Sequence, residues 1–283
     1  MSHPIVLVVV ADGLLSLMDA IIKMLTARYP TFQIVWLRFA FGLIGAAALL
    51  AIMRPGWPGR DTIVFNATRS LLVVVVATTF FFALSVLPLA EAIALSFVSP
   101  LFMVLFGVLL LGERIDSRIG IALVAGLAGM LLIAGARIGD ASYSSSAWLG
   151  ALAAVTSAVA YGLVMVLLRA RATRDPLPTI VCFQNLGPSL ILALPAAYVW
   201  VPLDGYDLAL FALVGAIGVA GHYLLALAFA GAEAARLAPI TYVSLVWGTL
   251  FGYLFFSELP TVSALAGAAL IVAGTLVTHR KRT

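Results

Sequence analysis

Long apolar runs, cut at short intervals by proline, glycine and clustered charge, dominate the chain from end to end. A helix needs about 20 mostly apolar residues to cross the hydrocarbon core. Cutting at the breaks gives ten candidates, at 4–26, 31–53, 62–87, 89–111, 117–136, 147–168, 177–200, 206–229, 234–256 and 261–278. The connections are short, and none leaves room for a soluble domain. The pattern predicts an all-α membrane protein of ten transmembrane helices.

Composition agrees. Of 283 residues, 64% are hydrophobic and only 10% charged, whereas a soluble protein carries roughly a quarter charged residues. The surrounding solvent is therefore lipid, which predicts a multi-pass protein of a bacterial-type inner (plasma) membrane. The opening MSHPIVLVVV lacks a basic leader, and its apolar run continues past Asp12. It reads as the first membrane helix rather than a cleavable signal. The single cysteine, Cys182, excludes an internal disulfide framework and a cysteine-based metal cluster. The formal charge of +4 is scattered over short loops and does not point to nucleic acid.

Lysine and arginine set the orientation. Twelve fall in the even-numbered loops, their flanking turns and the C-terminal tail, among them Arg54, Arg69, Arg171 and Arg236, against Lys23, Arg28 and Arg137 in the odd-numbered loops. Both termini are expected in the cytoplasm.

An internal repeat is visible. LAEAIALSFVSPLF and LLLGERIDS, in and after the fourth span, correspond to GAEAARLAPITYVS and FFSELPTVS around the ninth, so Glu113 matches Glu258. Alignment needs one gap of three residues. The chain divides into residues 1–138 and 139–283, each with five spans, and an odd number of spans inverts the second half relative to the first. Inverted repeats are characteristic of secondary transporters, whose substrate site lies near the midplane between the halves.

These features together, and LPLAEAIALSFVSPLF followed by LLLGER in particular, resemble the EamA-type members of the drug/metabolite transporter superfamily. Within that group the chain looks most like the YddG-type amino acid exporters. The resemblance implies export of amino acids, aromatic ones included, through a central cavity between the halves. The matching stretches here hold few aromatics, with Ser99 before Pro100 and Thr78 and Thr79 in the third span. A broader range of amino acids is the expectation.

Polar residues inside the spans are the candidate site. A charged group at the bilayer centre costs about 2.5–3.5 kcal/mol on insertion scales, so it needs a partner or a function. At 100° per residue, Asp12, Ser16, Asp19 and Lys23 of the segment ADGLLSLMDAIIK lie within about 60° of one another, as one polar stripe on the first helix. Matching depths predict two structural ion pairs, Asp19 with Arg38 and Asp12 with Arg69. The alternative role for an acid, Asp12 foremost, is contact with substrate or a proton. Ser96 and Ser99 share a face beside Pro100, where a freed carbonyl can serve a cavity. Thr78, Thr79, Tyr161, His222, Tyr242 and Trp247 complete the expected substrate cavity, tyrosine and tryptophan offering both apolar walls and a hold on an ammonium. The bland readings are small-residue packing for the serines and threonines and interfacial anchoring for the aromatics.

No phosphate-binding glycine loop, metal-ligand cluster or nucleophile–base arrangement stands out, so no cofactor, no metal and no enzymatic activity is expected. The sequence predicts a secondary transporter exporting amino acids by alternating access. Its partners are the small-molecule substrate and the lipid bilayer, and a monomer is compatible with the sequence. The rival within transport is another small metabolite or a cationic drug, moved in either direction. The rival of another class is a membrane-embedded enzyme or receptor.

Overall fold

The computed structural model describes residues 4–87, 89–115, 117–135 and 145–257, with isolated positions between 262 and 273. All regular structure among the described residues is helical: α1 (Pro4–Leu25), α2 (Thr31–Met53), α3 (Arg60–Val86), α4 (Leu89–Ser96), α5 (Ser99–Leu111), α6 (Ser117–Gly135), α7 (Ser145–Ala172), α8 (Leu177–Tyr198), α9 (Gly205–Gly231), α10 (Ala234–Leu237), a 3₁₀ turn (Ala238–Tyr242) and α11 (Val243–Phe256). Seven segments, taking Ala234–Phe256 as one, are long and apolar enough to cross a membrane. The expected fourth span is divided into α4 and α5. The expected tenth, 261–278, falls almost wholly outside the described residues, as does Glu258.

Two divisions interrupt otherwise apolar segments, and proline explains both. Pro100 has no N–H to return to the carbonyl of Ser96, and Pro239 none for Ala235, so helix gives way at 97–98 and at Ala238–Tyr242. These are the fourth and ninth expected spans, at matching places in the AEA-containing segments. Nearby hydroxyls take up carbonyls around the breaks: Ser96 donates to Ala92 (2.9 Å), Thr241 to Ala238 (2.8 Å) and Ser244 to Thr241 (2.6 Å).

The principal packing joins early helices to late ones. α3 lies on α7, α1 on α9 and α11, α2 on α8 and α9, and α5 on α7. Each of these contacts crosses from the chain before residue 136 to the chain after 144. At the α2–α9 crossing a Cβ on Gly215 would sit 2.5 Å from Phe41 Cβ and 2.7 Å from the backbone nitrogen of Gly42, so the close approach requires glycine there.

Polar clamps close both ends of the bundle. At one end Arg28 meets Asp207 (2.8 Å) and Tyr29 donates to the same carboxylate (2.7 Å). That hydrogen bond holds the Tyr29 phenol above its ordinary pKa, with burial adding to the effect. Lys23 there donates to the carbonyls of Leu84 (3.2 Å) and Leu87 (2.5 Å), at the C-terminus of α3. At the opposite end Arg171 meets Asp61 (2.7 Å), and Arg169 donates to the carbonyls of Phe229 (2.6 Å) and Ala230 (3.1 Å), at the C-terminus of α9. Glu113, just past α5, accepts from the amides of Ala234 (2.9 Å) and Ala235 (2.7 Å). It thereby satisfies donors that the first turn of α10 leaves open. These contacts also fix direction: α1, α3, α8 and α10–α11 run toward the Arg28 end, and α2, α4–α5, α7 and α9 run toward the Arg171 end.

A carboxylate taking two backbone amides makes two charge-assisted bonds. Glu113→Ala should therefore lower stability by about 2 kcal/mol, read as a fall in melting temperature of the purified protein in detergent. Glu113→Gln should lie between the alanine variant and the parent. An unchanged melting temperature for the alanine variant would contradict the clamp.

Candidate functional site

The helices surround a cavity of about 180 Å³ near the middle of the bundle. α1 contributes Asp12, Leu15, Ser16, Met18 and Asp19, so three members of the polar stripe face one space. Both interrupted segments open onto it, through Ser96, Phe97 and Ser99 on one side and Thr241 and Ser244 on the other. The apolar part of the wall includes Val73, Val76, Ala77, Phe80 and Phe81 of α3 and Val164 and Met165 of α7. The polar part includes Arg38, Ser157, Tyr161, Gln184 and His222.

Of the residues expected at the cavity, Ser96, Ser99, Tyr161, His222 and Asp12 line it. Thr78 and Thr79 are not among its lining residues, although Val76, Ala77, Phe80 and Phe81 around them are. Their hydroxyls return to the carbonyls of Val74 (2.7 Å) and Val75 (2.6 Å) one turn back. Tyr242 is wholly buried against Phe97, ring centres 5.2 Å apart, and Trp247 donates its indole N–H to the carbonyl of Val9 (3.1 Å). Neither is a lining residue. They stand behind the wall, Tyr242 joining the 3₁₀ turn to the break after α4 and Trp247 joining α11 to α1.

The expected ion pairs need correction. Among the described residues no ion pair within 4.0 Å joins Asp12 to Arg69 or Asp19 to Arg38. Both arginines turn to α8 instead. Arg38 donates to Asn185 Oδ1 (3.1 Å), and Arg69 to Gln184 Oε1 (3.2 Å) and the carbonyl of Ile180 (3.5 Å). Depth along a helix does not specify the direction a residue faces around it; Asp19 and Arg38 face one cavity and attract each other across it without closing to hydrogen-bond range. The local shape of α8 helps, because Pro188 removes the N–H that would bond the carbonyl of Gln184. Asp12 is only 5% exposed, and its Oδ2 has no hydrogen-bond partner.

His222 sits at the same wall. Its Nδ1 lies 2.7 Å from the carbonyl of Gly218 and 3.2 Å from Arg38 Nη2. In the neutral ring the Gly218 carbonyl takes the Nδ1 proton, so the Arg38 approach to Nδ1 is a contact without a hydrogen bond and Nε2 is left as an acceptor. Gly218 also makes room for the guanidinium, since a Cβ there would lie 2.9 Å from Arg38 Nη2.

Gln184, Asn185 and Ser157 went unread in the sequence. Two adjacent amides inside an apolar span were the available signal for the first two. Ser157 sits among alanines and carries no such mark; its hydroxyl donates to the carbonyl of Val76 at 2.9 Å. Among the described residues no group of acids, histidines and cysteines is placed to hold a metal. The arrangement can enclose a small solute between helices from both halves of the chain, offering it carboxylates, guanidinium and hydroxyls within an aromatic and aliphatic wall.

Known proteins place this architecture. The profile of the EamA-like transporter family matches twice, at residues 4–135 and 148–280. The pseudopaline exporter CntI of Pseudomonas aeruginosa is 30% identical over 98% of this chain and 96% of its own length. A riboflavin transporter of Rhizobium johnstonii is 29% identical, covering 96% of this chain and 89% of its own. An S-adenosylmethionine uptake transporter of Rickettsia bellii is 24% identical, covering 91% and 87%. One solved crystal structure superimposes with a TM-score of 0.77 over 96% of this chain and 98% of that one, at 24% identity, a likeness of fold.

The Arg38–Asn185 contact depends on a missing side chain, because a Cβ on Gly42 would overlap Asn185 Oδ1. Gly42→Ala should lower the melting temperature by displacing Asn185. Gly56→Ala, with nothing within 4 Å of its Cβ position, should leave it unchanged. Equal melting temperatures for the two variants would contradict this packing.

Proposed function

The chain belongs to the EamA-like transporter family, and on that premise we propose that this multi-pass membrane transporter moves small amino-acid metabolites by alternating access, with the central cavity as substrate chamber. The observation that carries the reading is the cavity between two helices broken at matching places. Interrupted segments in corresponding positions of two halves are the structural mark of a transporter's binding site.

The halves, 1–138 and 139–283, are inverted copies in this reading. Support comes from the directions of the described helices: α1, α2, α3 and α4–α5 each run opposite to α7, α8, α9 and α10–α11. The contacts repeat under the same exchange, α1 on α9 answering α7 on α3, and α5 on α7 answering α11 on α1. The clamps follow suit, Lys23 capping α3 and Arg169 capping α9 at opposite ends. Rocking one half against the other would open the chamber to alternate faces of the inner membrane. With both termini in the cytoplasm, the Arg171 end is the cytoplasmic one.

In the chamber, Asp12 is the contact for the substrate's ammonium, its free Oδ2 being the acceptor a bound cation would satisfy. Phe80, Phe81 and Phe97 supply a wall for neutral or aromatic side chains. Ser96, Ser99, Tyr161 and His222 are the hydrogen-bonding contacts. Export is the direction implied by the resemblance to amino acid exporters. A second reading, transport of a larger cationic or multiply charged metabolite, draws on the relatives named for pseudopaline, S-adenosylmethionine and riboflavin.

Uptake by proteoliposomes, screened with labelled amino acids, S-adenosylmethionine, riboflavin and a lipophilic cation, with and without a pH gradient, separates these readings. Amino acid uptake is the expected result. Asp12→Asn should reduce it at least tenfold, since the cation loses its counter-charge, while Thr78→Val should stay within about twofold of the parent because its hydroxyl serves its own helix. Uptake of the lipophilic cation alone would overturn the amino acid reading.

A further inference from the structure

The two buried arginines raise a question that helix packing does not answer. Arg69 is 2% exposed and Arg38 is 3% exposed. Both lie in membrane-spanning helices, where a cation needs an anion or a water-filled path. Two carboxylates stand on α1 in the cavity that Arg38 also lines, yet neither comes within 4.0 Å of an arginine. Neutral amides from consecutive residues hold the guanidiniums instead, Gln184 on Arg69 and Asn185 on Arg38. Arg69 Nη1 makes no hydrogen bond at all.

A structural staple would use the available acids, because a buried charge with its partner missing is destabilising. What the protein builds is a separation of charge. Asp12 and Asp19 form an acidic wall on α1. Arg38 and Arg69, side by side through α8, form a basic region beside Gln184 and His222. The four formal charges sum to zero with no ion pair closed between them, Asp19 and Arg38 attracting each other across the cavity. Asp12 Oδ2 and Arg69 Nη1 are the unsatisfied atoms, one at each pole. A solute with charges of both signs supplies the missing partner to each pole without changing the net charge in the membrane.

We infer that Arg38, presented by Asn185 and backed by Arg69 behind Gln184, forms the carboxylate-holding end of the chamber, and that the transported solute must carry a free carboxylate opposite its cationic group. This rests on the reading of the cavity as substrate chamber and adds an anion subsite on α2, α3 and α8. Gln184 joins Arg69 to the cavity: it lines the space and accepts from the guanidinium. A guanidinium with a free N–H edge is suited to a carboxylate in a way that an ammonium is not. Amines and amides that satisfy only Asp12 leave the basic pole unpartnered.

The test uses proteoliposomes of the whole transporter with labelled L-phenylalanine and L-leucine. Unlabelled competitors are each amino acid, its carboxamide and its decarboxylated amine. For the parent protein the free acid should compete at least about tenfold better than amide or amine, as expected where a buried polar group is left unpaired. Arg38→Gln, and separately Gln184→Glu, which sets a competing carboxylate into the cavity wall beside the arginines, should bring the three competitors toward parity. Equal competition in the parent overturns the inference and leaves the transport reading standing. So does an acid preference that both variants retain. Absence of amino acid uptake by the parent overturns the transport reading and this inference with it.

Discussion

Hydrocarbon offers no hydrogen bonds, so every polar group within the membrane must be satisfied by the protein or by a cavity it encloses. That constraint organises the molecule. Proline at 100 and 239 opens two helices within apolar segments, and the freed polar backbone is tolerated because it borders an internal space with serine and threonine hydroxyls at hand. Helix ends meet the same demand through side chains from distant parts of the chain, Lys23 on α3, Arg169 on α9 and Glu113 on α10. Of these, Glu113 joins an early helix to a late one, whereas Lys23 and Arg169 each close contacts within their own half of the chain.

The charged residues obey the same rule with a different outcome. Clamps at the ends of the bundle bring opposite charges into contact: Arg28 with Asp207, and Arg171 with Asp61. Toward the centre the charges are kept apart, with amides holding the arginines and an unpartnered carboxylate oxygen on Asp12. Ion pairs thus close at the ends of the bundle and not between the acids of α1 and the arginines near the cavity. His222, fixed by Gly218 and beside Arg38, adds a neutral acceptor there.

Apolar run length located the described spans to within a few residues, because crossing a bilayer requires a continuous apolar stretch and little else does. α2 runs from 31 to 53, as the hydropathy alone placed it. The breaks were harder to see. Ser99–Pro100 and Ala238–Pro239 are short and apolar in context, and proline can sit in a membrane helix with or without a lasting interruption. Side-chain partnership was harder still: Arg69 lay at the right depth for Asp12, but its azimuth turned it to Gln184. The threonines at 78 and 79 illustrate the same limit, their hydroxyls being consumed by carbonyls one turn away. Asp12, Ser96, Ser99, Tyr161 and His222 reach the cavity, whereas Trp247 and Tyr242 are held behind it.

The central claim is that water and solute reach the space between the two broken helices and that substrate occupies it. Cys182 is the chain's one cysteine, so Cys182→Ser gives a blank background for Ser96→Cys at the first break. Labelling of that cysteine in membrane vesicles with a water-soluble maleimide measures access to the chamber directly. The account predicts modification from the aqueous phase, slowed by added amino acid. A cysteine at 96 that reacts at a rate indifferent to every solute, or that reacts from neither side, would contradict it.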